Sequence, residues 1–275
     1  MTINPFTEDS KIDLLYPADQ SNLVIESNGS LINGLIEIAQ GKGPHKTIIL
    51  LHGFPGTEKN NDLAHIFRRA GFNVVIFSYR GSWGSQGDYS FKHSAEDVSN
   101  VISFIERNGE KYRCDVNNII LIGNSFGGFI ALYSAVFHKN IRRVASISGW
   151  FLPITNQLMA NGELYSESMK QLILESMNPL HGTTPEKLLE EIKNIDSWDF
   201  ENFYYTLIDK DVCLVAGLKD DLVPAEFYHF PLVNDLEKIN PDIKLTQTSF
   251  YDARHSYSDH RIKLAKYLLD WLQSG

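Results

Sequence analysis

Five short apolar runs constrain this chain more than any other feature: TIILLHG from Thr47, NVVIFSY from Asn73, NIILIG from Asn118, RVASISG from Arg143 and VCLVAG from Val212. They are apolar at nearly every position rather than at alternate ones. That pattern suits strands buried on both faces, as in a parallel sheet covered on either side. Helical stripes separate them. Leu63, Ile66, Phe67 and Ala70 recur at helical spacing, with Asn61 or Asp62 as N-cap and Gly71 as stop. Ser94 can cap a helix whose apolar face is Val98, Val101, Ile102 and Ile105, closing near Gly109. Another helix starts near Phe126, and a last one presents Ile262, Ala265, Leu268, Leu269 and Leu272. KLTQTSFY, from Lys244, reads as a further strand. SNLVIESNGSLINGLIEIAQG reads as an antiparallel hairpin turning at Asn28-Gly29. The alternation predicts an α/β fold with a mainly parallel central sheet, helices on both faces and a hairpin at its N-terminal edge.

One region breaks the rhythm. Between Trp150 and Asp211 no strand pattern occurs, but two helical stripes do. Met169, Leu172, Ile173 and Met177 form the first. Thr184-Pro185 opens the second, which carries Leu188, Leu189, Ile192 and Ile195. The segment is too long for a simple crossover and is expected to be a helical lid insertion at about 150–211, within a single domain spanning 1–275.

A formal charge of −9 argues against general nucleic-acid binding, which needs a basic face to neutralise phosphates. No run of ~18 apolar residues is present for a membrane span, and the N-terminus lacks the basic and apolar regions of a signal peptide. Two cysteines are too few for a disulfide framework, and Cys213, inside an apolar run, reads as a small core residue. A cytoplasmic protein without membrane or nucleic-acid partners is the expectation; assembly as a homo-oligomer is left open.

The chemistry centres on Gly123-Asn124-Ser125-Phe126-Gly127, between a strand and a helix. A nucleophile on so tight a turn is exposed at the strand's C-terminal end, where the helix N-terminus offers amides and a positive dipole end to a developing oxyanion. Serine needs a base, and the base needs an orienting acid. In this arrangement the acid and then the histidine follow the serine in the chain. LKDDLVP, directly after VCLVAG, offers Asp220, with Asp221 as its close rival; DARHSYSDH offers His255, with His260 closer to the final helix. His45, His65, His93, His138, His181 and His229 occur singly, without metal-ligand spacing, and His52 precedes the serine, so none suits the base. The loop His52-Gly53-Phe54-Pro55-Gly56 supplies a second amide at Phe54 to join that of Phe126 in an oxyanion site. His52 is expected to stiffen this loop by hydrogen bonding. The glycines from Gly81 to Gly87 match neither a dinucleotide fingerprint nor a phosphate-binding loop, so a nucleotide is not expected.

Taken together, HGFPG, YRGSWGSQGD, GNSFGG, GLKDDLVP and the late His255 resemble the α/β-hydrolase superfamily, from about residue 47 to 260 in the family's order. The YRGSWGSQGD stretch is most similar to single-domain hydrolases related to prolyl oligopeptidases and to bacterial cinnamoyl and feruloyl esterases, which carry a helical insertion after the sixth strand. The resemblance implies Ser125 as nucleophile, Asp220 as acid, His255 as base, the Phe54 and Phe126 amides as oxyanion donors, and no metal or cofactor. Serine at the elbow sets the chain apart from dehalogenases and epoxide hydrolases, which use aspartate there, and from dienelactone hydrolases, which use cysteine. The expected activity is a serine carboxylic-ester hydrolase acting through an acyl-enzyme on a small or medium, and potentially aromatic, acyl ester. A peptidase or amidase, an acyl thioesterase, or a non-catalytic binding module on the same fold are the alternatives. Aromatic residues of the insertion, among them Trp150, Phe151, Tyr165, Trp198, Phe200, Phe203, Tyr204 and Tyr205, are expected mainly to pack it onto the body.

Overall fold

The hairpin signal is realised at the sheet edge. Asp19–Ser27 (β1) and Ser30–Ile38 (β2) pair antiparallel, and Asn28 and Gly29 turn the chain at φ 47° and 81°. Two positive φ values mark the turn whose twist matches that of the flanking strands. The computed structural model describes residues 4–274. After the hairpin come His45–Leu51 (β3), Asn61–Arg69 (α1), Asn73–Phe77 (β4), Phe91–Asn108 (α2), Cys114–Asn124 (β5), Phe126–Phe137 (α3) and Arg143–Ile147 (β6). Four helices follow without an intervening strand: Leu152–Asn161 (α4), Glu163–Glu175 (α5), Pro185–Lys193 (α6) and Phe203–Leu207 (α7). Asp211–Gly217 (β7), Ala225–Tyr228 (α8), Phe230–Ile239 (α9), Leu245–Phe250 (β8) and Arg261–Gln273 (α10) complete the order.

The strands form one sheet in the order β1-β2-β4-β3-β5-β6-β7-β8. Antiparallel pairing is confined to β1–β2 and β2–β4; every pair from β4 to β8 is parallel. The C-terminal ends of β3 to β8 therefore share one edge. Alternate residues of each run serve opposite layers. Ile48, Leu50, Val74, Ile120 and Val215 pack with α1 and α10, whereas Ile49, Leu51, Val75, Leu121 and Leu214 pack with α2 and α3. Each such side chain contributes about 1.5–3 kcal/mol on burial, which is why the runs are apolar at nearly every position.

Several local details differ from the sequence reading. Ser90, not Ser94, caps α2: its Oγ accepts from the His93 N–H at 3.2 Å, while the Ser94 hydroxyl donates back to the Ser90 carbonyl. Phe91 is fully buried and extends the apolar face by a turn, and that tertiary contact outweighs the local serine signal. At α1 the N-cap is Asn60, at φ 58°, and its side chain does not cap; it donates to Asn124 and accepts from Arg261. On α10 Ile262 is 64% exposed and Leu264 takes the buried place. Thr184 does cap α6, accepting from Lys187. The 150–211 segment holds α4 and α7 besides the two expected helices, because α4 buries only Leu152 and Thr155 and so carries no strong stripe.

The aromatic residues of that segment pack largely inward. Trp198 and Phe200 stack on Phe129 of α3 at 5.9 and 6.3 Å, and Phe151 meets Phe129 at 5.3 Å, whereas Tyr205 is 65% exposed. Its middle is also laced to the loop after β4: Trp83 N–H donates to Pro179, His181 N–H to Gly81, and Tyr89 N–H to His181. That loop is anchored by buried Arg80, whose Nε donates to Asp97 at 2.6 Å and whose Nη2 reaches Glu96. No helix among the described residues is long and apolar enough to cross a membrane.

Candidate active site

The elbow at the end of β5 is strained. Ser125 has φ 55° and ψ −127°, a conformation that costs a non-glycine residue about 1–3 kcal/mol. Its backbone is held on both sides: the N–H donates to Ile147 of β6 at 2.8 Å, and the carbonyl accepts from Gly128 and Trp150, each at 2.9 Å. The neighbouring glycines are required by space. A Cβ on Gly127 would lie 2.2 Å from the Leu51 carbonyl oxygen, and one on Gly123 would lie 2.0 Å from that of Gly127. The turn can close over β3 only without those side chains, and α3 then begins at Phe126 with its N-terminus beside the hydroxyl.

Asp220 and His255 lie beyond the C-terminal ends of β7 and β8, on the edge that Ser125 occupies after β5. Asp220 is buried and fully bonded. One carboxylate oxygen accepts from the Leu222 and Val223 N–H groups at 3.0 and 2.8 Å; the other accepts from His255 Nδ1 at 2.7 Å. This pairing fixes the ring so that its second nitrogen is free to accept a proton. Asp221 faces solvent. His260 instead pairs with Asp252, its Nε2 2.8 Å from a carboxylate oxygen. Among the described residues no hydrogen bond joins Ser125 Oγ to the His255 ring; such contacts are often long before substrate arrives.

Backbone links draw the three loops together along the edge. Ser148 N–H donates to Val215, Leu218 N–H donates to Phe250, and the hydroxyls of Ser148 and Tyr257 share a hydrogen bond of 3.0 Å. Tyr257, two residues past His255, is buried, and burial together with the nearby Asp220 carboxylate holds its phenol protonated, well above its ordinary range. Sequence reading missed Tyr257 and Ser148, because a single tyrosine and a single serine carry no spacing signal.

The loop after β3 presses against Ser125. A Cβ on Gly53 would lie 2.9 Å from Ser125 Cβ, so the Gly53-Phe54 backbone runs directly beside the serine. The Phe54 ring packs on Phe91 and Trp150, at 5.4 and 5.9 Å, and Phe126 packs on Phe91 at 4.9 Å. Two more side chains fix this loop. His52 Nδ1 meets the Gly53 carbonyl at 2.7 Å, and Trp83 Nε1 donates to the Pro55 carbonyl at 2.7 Å. Burial pushes the His52 pKa down to about 4, so the ring is neutral near pH 7 and Nδ1 is its donor. Trp83 was not singled out from sequence, and only its place in a glycine-rich loop hinted at a role.

A parallel sheet with an antiparallel edge, a serine on a strained strand-to-helix turn, and an Asp–His pair at the same edge define an α/β-hydrolase. The BD-FAE family model matches residues 36–175, just over half of the chain, and the protein belongs to that family. Among solved structures, Est1E from Butyrivibrio proteoclasticus with ferulic acid bound is similar at 16% identity and a TM-score of 0.68, over 92% of this chain and 98% of that one. An esterase from Pyrococcus furiosus is similar at 19% identity and a TM-score of 0.62, over 94% and 92% of the two chains. A curated relative, the proline iminopeptidase of Flavobacterium johnsoniae, is 24% identical over 169 residues, 60% of this chain. The match spans about half, 51%, of that relative's length.

Proposed function

We propose that the protein is a serine hydrolase that cleaves carboxylic esters. The observation that carries the reading is the 2.7 Å bond between Asp220 and His255 at the sheet edge that also bears Ser125 at φ 55°. In the proposed reaction His255 accepts the Ser125 proton as Oγ attacks the acyl carbonyl. Asp220 holds the imidazole in one tautomer and stabilises its charged form. The Phe54 and Phe126 N–H groups receive the oxyanion of the tetrahedral intermediate, a contribution of about 3–4 kcal/mol per donor. The alcohol leaves with the His255 proton, and water repeats the steps to release the acid. The 150–211 insertion acts as the lid that shapes the acyl site. An aminopeptidase is the second reading, favoured by the likeness to the proline iminopeptidase.

Labelling with a fluorophosphonate probe and turnover of short p-nitrophenyl esters test the proposal. Both should disappear in Ser125→Ala while the thermal midpoint is kept; unchanged turnover in that variant would refute it. Turnover of aminoacyl-p-nitroanilides without ester turnover would select the second reading.

A further inference from the structure

A cavity of about 560 Å³ lies between α4 and the α7–α9 side of the molecule. Phe151, Phe200, Phe203 and Tyr204 line it, and the rings of Phe151 and Phe200 lie 6.3 and 5.9 Å from that of Phe203, both edge-on. Its charged residues are of one sign. Asp196, Glu226 and Asp235 are in the lining, and among the described residues no lysine, arginine or histidine is. None of these three carboxylates belongs to an ion pair among the described residues. Burial, and then the Asp235 carboxylate, hold the Tyr204 phenol above its ordinary value, so that ring stays neutral.

The larger cavity, of about 860 Å³ between α2 and α6, lacks this bias. It mixes Lys92 and Lys187 with its glutamates, and Glu191 is already spent on the Ser90 hydroxyl and the Lys92 N–H. One wall of the aromatic cavity leads along the chain toward the candidate active site. Phe151 and Leu232 line both it and a small void that includes Ser148, Gly149 and Val223. Phe151 directly follows Trp150, whose N–H donates to the Ser125 carbonyl.

Aromatic faces attract a cation through their quadrupoles, and carboxylates outside any ion pair add Coulomb attraction. A neutral group would gain only apolar contact there, and an anion would be repelled. We propose that this cavity binds the ammonium-bearing end of an amphiphilic substrate, an aryl- or alkyl-substituted amine, and thereby selects positively charged acyl compounds for Ser125. The selection step rests on the hydrolase reading; the binding step does not.

Calorimetric titration of the intact protein with benzyltrimethylammonium, and with benzenesulfonate as its anionic counterpart, tests the binding. The cation should bind and the sulfonate should not. The triple variant Asp196→Asn, Glu226→Gln, Asp235→Asn leaves the rings in place and should weaken the cation about tenfold or more, the size of the Coulomb attraction of several carboxylates in a partly exposed site. The three side chains are exposed at the rim, so the fold should be kept, as a thermal midpoint would show. Equal binding of cation and anion, no binding of the cation, or an undiminished affinity in the triple variant would overturn the proposal. In the active enzyme the cation should raise KM for p-nitrophenyl butyrate without changing kcat, and binding without such competition would overturn the selection step. Fluorophosphonate labelling reports separately on Ser125, so a protein that binds the cation but is not labelled fails only the hydrolase reading.

Discussion

Replacing Asp220 by asparagine changes one atom of a fully bonded group, and the hydrogen-bond geometry dictates the outcome. One oxygen of Asp220 accepts two backbone N–H groups, from Leu222 and Val223, and the other accepts from His255 Nδ1. Asparagine offers one acceptor and one NH2 donor. If the NH2 group faced Leu222 and Val223, two backbone donors, at least one of them buried, would lose their acceptor, at about 1–3 kcal/mol each. If it faces His255 instead, the carbonyl oxygen keeps both backbone bonds and only the histidine contact changes. The second orientation is therefore adopted. The NH2 then donates to Nδ1, the ring proton moves to Nε2, and the nitrogen that accepts the serine proton in the proposed reaction has none of its lone pair left.

The expected loss in kcat is about 10³–10⁴-fold, the size such a tautomer change has in a Ser-His-Asp triad. That corresponds to about 4–5.5 kcal/mol of barrier. KM and the urea midpoint should stay close to wild type, since the loop keeps its backbone bonds. Steady-state turnover of p-nitrophenyl butyrate, with Asp221→Asn as control, measures it. A loss below tenfold in Asp220→Asn, or an equal loss in Asp221→Asn, would refute the reasoning.

Three further outcomes follow from the same geometry. Near pH 7 buried His52 is neutral; its pKa falls from an unfolded value near 6.5 to about 4 in the fold, so below 6.5 the unfolded chain takes up the proton first. Stability is then complete above pH 6.5 and falls by about 3 kcal/mol as the pH drops to 4; urea titrations should show His52→Gln with a flatter acid limb, and equal slopes would contradict this. Gly127→Ala would set a methyl 2.2 Å from the Leu51 carbonyl, so the elbow must part from β3. A stability loss of about 3 kcal/mol or more is expected in urea unfolding, together with lost turnover. Trp83→Phe removes the 2.7 Å bond to the Pro55 carbonyl, and a partly exposed hydrogen bond is worth about 1 kcal/mol. Because that bond steadies the loop bearing the Phe54 amide, kcat should fall about fivefold with KM unchanged, and a change in KM alone would assign Trp83 to substrate contact.

The central strands were readable because burial on both faces leaves their sequence no freedom: Ile48 to Leu51 and Ile119 to Ile122 must be apolar throughout. Helix ends were less so. Whether Ser90 or Ser94 caps α2 depends on Phe91 reaching the core, a contact with residues distant in sequence. The helices α8 and α9 went unread because Pro231 interrupts what a periodic reading expects, although at the first turn of α9 a proline costs nothing. The pairing of Asp220 with His255 followed from spacing after two strands. Trp83 and Tyr257, by contrast, act on loops 28 and 109 residues away through one hydrogen bond each, and no local pattern announces such a contact.

The steric and the chemical readings of the glycine-rich elbow are not rivals. Gly123 and Gly127 are glycines because carbonyl oxygens lie where their side chains would be. The same closeness brings Gly53, and with it the Phe54 amide, against Ser125. A looser corner would tolerate alanine, but it would also move apart the two N–H groups proposed as oxyanion donors, and a donor misplaced by an ångström forfeits much of its effect on a transition state. The strain at Ser125 is offset by the bonds of its backbone to Ile147, Gly128 and Trp150, which hold the turn in place. The packing of the turn is thus the means by which the site is preorganised, and its glycines would be required even if no glycine took part in the chemistry.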